Sequence, residues 1–320
     1  MNALMQTTLF LAASLLAGAA AAQPEVPKQI KIVVPFTAGA SNDAIARVIA
    51  PQLAARFGNT VIVENRGGAA GAIGSEYVAR SAKDGSVLLL TSSTFLTTAA
   101  TQPHLPYDAL KQFAPVAMIG QGPLVIAASA QTPYGSLKEL LDAARARPGA
   151  LNYGSAGIGS LAHLATVMLD DAAGTRMTHV PYKGAANAAS DLAGGLIDVM
   201  LSNYSTLAPV VQGKKVKLLA TTAQAASPAF PGLSPAAQSL PGYSVQIWVG
   251  VFAPAGTPPA VLETLNAALQ KTLASPELRQ RLAAQGTQLY TGTPDEYRRF
   301  IAGEKAKWAE IVKRADIRMD

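Results

Sequence analysis

The feature that most constrains this 320-residue chain is a repeated unit: a short apolar run, a turn of small residues, then an amphipathic stretch. Residues 31–35, 61–64 and 87–91 read as buried strands. Helices follow over 42–57, with Ile45, Val48, Ile49 and Leu53 on one face and Gly58 at the end, and over 72–82. Strands that are apolar throughout, each followed by a helix, predict a parallel sheet covered on both faces. The unit recurs after Pro123, with strands at 124–128, 151–154, 177–181, 197–201 and 217–222 and helices at 136–146, 160–170 and 185–194. A Pro/Gly/Ser-rich stretch, 227–242, reads as a loop that returns the chain across the molecule. A strand at 249–253 and helices at 259–274, 276–285 and 293–315 complete the chain. The last helix opens on Thr293-Pro294-Asp295-Glu296, a capping box with Pro in the first turn. The expected organisation is two α/β lobes, 23–123 with 223–320 and 124–222.

The N-terminus stands apart. Leu9 to Ala20 is almost purely apolar, and Ala20-Ala21-Ala22 offers a small-residue cleavage site before the polar chain begins at Gln23. This is the layout of a secretory signal, although no Lys or Arg precedes the apolar run. The run is short for a bilayer span, which needs about 20 residues. Cleavage near Ala22, with export to the periplasm, is therefore expected over a retained anchor or a core helix. The remaining chain carries no cysteine, which excludes disulfides, thiolate metal sites and thiol nucleophiles. The net charge of +6 comes from scattered Lys and Arg, without the basic stripe that nucleic-acid binding requires.

Two strand-to-helix turns are suited to anions. The first is Pro35 to Asp43, containing Phe36, Ala38, Gly39, Ala40, Ser41 and Asn42; the second is Tyr153 to Ser160, containing Ser155, Ala156 and Gly157. Small residues let the backbone approach a guest. The first N–H groups of a helix lack internal partners and sit at the positive end of its dipole. Ordinary strand-to-helix connections would use the same residues, but two such turns, one per lobe, favour a shared cleft. Rival chemistry is weaker. Gly157-Ile-Gly159-Ser-Leu-Ala162 loosely fits a dinucleotide turn, yet the next strand ends His179-Val-Pro-Tyr-Lys183 with no acid for the ribose. The three histidines, His104, His163 and His179, show no metal-ligand spacing, so neither metal nor cofactor is expected. Ser160 and His163, three apart on one helix, are the only hint of an exported hydrolase, and no acid or oxyanion partner accompanies them.

Six short pieces in order carry a family resemblance: Val33 to Gly39 with Asp43; Val63-Glu-Asn-Arg66 with Gly71; Leu105-Pro-Tyr-Asp108; Asn152 to Gly157 with His163-Leu164; Val180-Pro-Tyr-Lys-Gly184; and Phe252 to Pro258. The chain resembles the receptors of tripartite tricarboxylate transporters, the Bug family of extracytoplasmic solute-binding proteins. That resemblance implies a type II periplasmic-binding-protein fold, two doubly wound α/β lobes around a ligand cleft, and no catalysis. It implies a small carboxylate ligand, a monomer, and membrane permease subunits or a sensor kinase as partners. The implied ligand residues are Phe36, Ala38, Gly39, Ser41 and Asp43 from the first turn and Ser155, Ala156, Gly157, Ser160 and His163 from the second. Thr91 and Ser92, the Tyr182-Lys183-Gly184 turn and Asn203 complete them. An effector half of a transcription regulator could share this fold, but the apparent signal and the lack of a helix-turn-helix argue against it. This chain departs from the family pattern at Gly39-Ala40, where Gly-Gly is usual, at Ile158, where Asn is frequent, and at Gly67, where Pro is usual. A left-handed backbone at position 40 would strain its alanine.

Overall fold

A computed structural model describes residues 26–283 and 286–314. The expected export signal and its cleavage site lie outside the described residues. The first sheet has six strands in the order β11-β4-β10-β3-β1-β2: β1 (Gln29–Val34), β2 (Thr60–Asn65), β3 (Val87–Ser92), β4 (Phe113–Pro123), β10 (Gln246–Pro254) and β11 (Gln288–Leu289). The second has five in the order β7-β6-β8-β5-β9: β5 (Val125–Ser129), β6 (Asn152–Ser155), β7 (Thr178–Pro181), β8 (Val199–Ser202) and β9 (Val216–Thr221). Both sheets are mixed, which corrects the expectation of purely parallel pairing. β2-β1-β3 and β7-β6-β8 run parallel, but β10, β11 and β5 are each antiparallel to their neighbours. The antiparallel strands include those where the chain crosses between sheets, from β4 through Leu124 into β5 and from β9 back to β10.

Most parallel strands feed a helix at their carboxyl end. β1 leads to α1 (Ser41–Phe57), β2 to a short 3-10 turn and α2 (Ala72–Ala79), and β3 to α3 (Thr94–Thr101). In the second sheet β5 leads to α4 (Leu137–Ala146), β6 to α5 (Leu161–Ala173), β7 to α6 (Ala185–Gly194), and β8 to α7 (Tyr204–Gln212). The C-terminal part returns to the first sheet as α8 (Pro259–Leu273), α9 (Pro276–Ala283) and α10 (Pro294–Arg314). Local chemistry sets these ends. Gly58 closes α1 in the left-handed conformation at φ +62°, donating its N–H to the Ala54 carbonyl. The capping box of α10 is present: Thr293 Oγ1 accepts the Glu296 amide, and the Glu296 carboxylate accepts the Thr293 amide at 2.8 Å. None of the described helices is long and apolar enough to cross a membrane.

α3 and α7 are not apparent from the sequence. α3 is rich in threonine, a β-branched residue that disfavours helix, and follows β3 almost without a break. Tertiary burial of Phe95 and Leu96 overrides that preference. α7 carries Pro209 inside it. Three apolar clusters hold the layers together. One packs the first sheet against α1 and α8, and one packs the second sheet against α6 and α7. The third runs through both sheets, joining Leu89, Phe95 and Phe252 to Ile126, Leu164 and Leu201. Phe95 is its hub, 5.0 Å from Phe113 and 5.2 Å from Phe252 between ring centres.

Candidate functional site

A cavity of about 50 Å³ lies between the sheets, with room for a few waters or the body of a small organic anion. It sits at the carboxyl ends of the parallel strands of both sheets, the position where open α/β sheets bind ligands. Five helix N-termini reach it: Ser41 and Asn42 open α1, Thr94 opens α3, Ser160 precedes Leu161 and Ala162 of α5, Ala185 opens α6 and Asn203 precedes α7. Phe36, Leu124, Leu201 and Ile247 supply apolar wall, and Ser92, Ala156 and Ser202 small or hydroxyl wall. Among the described residues, no charged side chain lines it.

The helix ends are open to a guest. The residues before α1, α6 and α7 are Ala40, Gly184 and Asn203, and none of them caps its helix through a side chain. Amide donors and dipoles there are left for an external acceptor. The Asn42 side-chain amide is buried without a protein partner, as is the Thr91 hydroxyl. Such orphans are costly unless a guest or water satisfies them. α5 differs: Ser160 Oγ accepts the His163 amide at 3.3 Å, an N-cap.

Two reciprocal bonds tie the sides of the cavity. The Ser41 amide of α1 donates to Thr206 Oγ1 of α7 at 3.2 Å, and the Leu161 amide of α5 donates to Thr94 Oγ1 of α3 at 3.2 Å. Gln102 Nε2 also reaches the Ile158 carbonyl at 3.4 Å. Gly184 lies so close to Thr37 that an added Cβ would overlap the threonine hydroxyl. Gly157, with φ at +117°, is less crowded: an added Cβ would lie 3.3 Å from the Tyr182 carbonyl oxygen and 3.4 Å from Ala70. Each turn thus packs against a loop of the opposite sheet, the first against Gly184 and the second against Ala70.

Of the residues expected at the site, Phe36, Ala40, Ser41, Asn42, Ser92, Ala156, Ser160 and Asn203 line the cavity. The others stand behind or beside it. Ala38 and Gly39 are exposed on the outer bend of the first turn. Gly39, not position 40, takes the left-handed backbone at φ +82°. Ala40 is extended at φ −74°, so the Gly-to-Ala departure carries no strain. The buried Asp43 carboxylate turns inward to accept the Gly39 amide at 3.0 Å and Arg47 Nε at 3.0 Å. Burial raises its pKa, but Arg47, the Gly39 amide and Asn65 outweigh that and hold it below the usual carboxylate range. Thr91 is buried in β3, one residue short of the cavity wall. Ser155 and His163 form a network behind the second turn, and Gly157 packs against the Tyr182 carbonyl. Tyr182 donates its hydroxyl to Asp191 at 2.7 Å, Lys183 is exposed, and Gly184 is the contact with Thr37. Ile158 is 41% exposed and points away. The Ser160–His163 hydrolase pair is absent as a pair. Ser160 Oγ meets the backbone of His163, and the imidazole Nδ1 accepts the Gly159 amide instead. Thr94, Ala185 and Ser202 also line the cavity without having been expected there: the helix that Thr94 opens does not read as one, Ala185 opens an expected helix that was not tied to the site, and Ser202 lies one residue past the expected strand 197–201.

The pattern of the TctC family, described as the tripartite tricarboxylate transporter family receptor, matches residues 45–317. The chain belongs to this family. Its members are solute-binding receptors, not enzymes. The periplasmic binding protein BugD superposes with a TM-score of 0.87 at 33% identity, covering 91% of this chain and 99% of BugD. A protein of Rhodopseudomonas palustris solved with adipate gives a TM-score of 0.87 at 32% identity, covering 91% and 98%. MatC from the same organism, solved with bound malate, gives 0.84 at 30% identity, covering 89% and 98%. The fold is thus that of the periplasmic binding proteins, as the sequence resemblance implied, and the family is one of periplasmic solute-binding receptors.

Proposed function

We propose that this receptor closes two lobes around a small carboxylate-bearing metabolite and presents it to a membrane permease of the tripartite tricarboxylate type. The observation that carries this reading is the convergence of five helix N-termini on one cavity without a charged side chain. An anion there is held by neutral donors and dipoles, in a site that a cation or a neutral apolar guest would leave unsatisfied. Relatives solved with adipate and malate support the ligand class. Charge-assisted hydrogen bonds contribute about 1.5–3 kcal/mol each, and four or five, less the cost of ordering, give roughly −8 kcal/mol, a micromolar affinity.

The moving bodies in this reading are residues 23–123 with 223–320 and residues 124–222, hinged where the chain crosses between the sheets. The ligand favours the closed population because both lobes contribute donors to it. The protein acts as an exported monomer, with its signal removed near Ala22. A sensor kinase is the alternative recipient of the closed form. Residues 36, 40–42, 92, 156, 160 and 203 contact the guest, while Asp43 and Gly184 shape the walls that hold it.

Native mass spectrometry of protein purified without refolding tests the ligand class. The expected result is a retained adduct whose mass fits a carboxylic acid. A thermal-shift screen complements it, because a ligand at 100 times its Kd adds about 2.7 kcal/mol of stability. A screen in which amines or neutral sugars stabilise the protein and no carboxylate does would refute the proposal.

A further inference from the structure

Behind the second turn lies a stack of three rings that neither the fold nor the ligand contacts require. Tyr153 of β6, His179 of β7 and His163 of α5 lie nearly parallel. The two imidazoles are 4.1 Å apart at 8° between planes, and Tyr153 is 4.9 Å from His179. Each imidazole grips one end of the turn. His179 Nε2 meets Ser155 Oγ at 2.6 Å, and that hydroxyl accepts the Gly157 amide at 3.1 Å. His163 Nδ1 accepts the Gly159 amide at 3.1 Å. The segment between the grips contains two left-handed glycines, Gly157 at φ +117° and Gly159 at φ +78°. Such a backbone has little intrinsic preference for one shape, so something outside it must fix it. That segment brings Ala156 and Ser160 to the cavity.

We propose that His163 and His179 are positioning residues, a stacked imidazole clamp that sets the shape of the second ligand turn from behind. The ligand consequence rests on the carboxylate-receptor reading above; the clamp itself does not. His163 must be uncharged to work, and a charge on either ring weakens the stack. A protonated His163 Nδ1 has no lone pair for the Gly159 amide, and two stacked imidazolium ions repel. The surroundings favour the neutral forms: burial lowers His163 to a pKa of about 4, and burial, reinforced by His163, lowers His179 to about 4. The groups facing the pair are the Tyr153 phenol and Ser155 hydroxyl of β6, with the Asp170 carboxylate of α5 acting on Tyr153 from beyond. Among the described residues neither imidazole is ion-paired.

The test reads amide exchange protection at Gly157 and Gly159 by NMR, with imidazole nitrogen shifts, in wild type and in H163F, H163Q and H179F. Phe keeps the stacking face and removes the polar atom; Gln restores an acceptor that does not titrate. In wild type the Gly159 protection factor should fall at least tenfold as His163 protonates below pH 5, while amides of β3 stay protected. H163F should lose that protection at every pH, H179F should lose it at Gly157, and H163Q should recover part of it without the pH dependence. Malate titrated into the same samples should bind at least tenfold more weakly wherever protection is lost. Unchanged protection in both Phe variants, or wild-type imidazoles titrating near 6.5 with the turn unaffected, would overturn the clamp. If malate binds none of the samples, the choice of ligand fails while the exchange data still decide the clamp.

Discussion

Asp43 shapes the proposed anion site without lining it. Its carboxylate satisfies the Gly39 amide and Arg47, which fixes the left-handed bend that lets Ala40 start α1 uncapped. Asp43→Ala should cost about 1–3 kcal/mol, because it strips a buried acceptor from two donors; urea denaturation at pH 7 measures this. The two buried histidines act on stability in a different window. Their folded pKa values lie near 4, below the ordinary 6.5, so the unfolded chain binds protons first as pH falls. Stability is then full above about pH 6.5 and declines toward pH 4, by roughly 1–2 kcal/mol per histidine at pH 5. Urea midpoints taken from pH 7.5 to 4.5 should follow that slope, and a variant with both histidines replaced by Phe should flatten it. Asp43, with its lowered pKa, adds a further loss as pH falls through the usual carboxylate range toward its own lower value.

In the proposed function the strand-to-helix junction is the working element. Supplying a cap should therefore trade binding for stability. Ala40→Asp offers a carboxylate to the first amides of α1, which should stabilise the unliganded protein by about 0.5–2 kcal/mol and abolish carboxylate binding. Calorimetry and thermal melts on one preparation read both effects. Gly184→Ala probes the opposite wall. Gly184 has an ordinary extended backbone at φ −179°, so the variant should fold normally, and in the proposed hinge motion its Cβ would strike Thr37 as the lobes close. Ligand affinity should drop at least tenfold with an unchanged unliganded melting point. Both turns that reach the cavity were legible in the sequence as small-residue strand-to-helix junctions; ordinary connections use the same residues, and it was the pair, one per lobe, that pointed to a shared cleft. Asn203 and Ser92 were legible only through the family resemblance. Thr94 and Thr206 were not legible, because the helices that carry them read as β-branched or proline-broken segments. β4 escaped notice because Pro115, Gly120 and Gly122 interrupt its apolar run. The glycines are there so that β11 and its approach can lie close: a Cβ at 120 or 122 would strike the backbone of residues 286–288.

At the scale of the whole molecule, the two lobes exchange helix-start amides for threonine hydroxyls across the cavity. Replacing Thr94 and Thr206 by Val should weaken ligand binding by roughly 0.5–1.5 kcal/mol each, about two- to thirteenfold per site. Neither change should alter the secondary structure seen by circular dichroism. The sequence conveyed two lobes and a shared cleft, but not how completely charge is excluded from it, since that depends on Asp43, Lys183 and the histidines all turning away. The central claim, an anion held by neutral helix-start donors from both lobes, is tested most directly by calorimetric titration of malate and adipate beside their dimethyl esters at pH 6, 7 and 8. At least one acid should bind in the micromolar range, equally at all three pH values, and neither ester should bind. Esters that bind as tightly as their acids, or an affinity that changes steeply between pH 6 and 8, would contradict it.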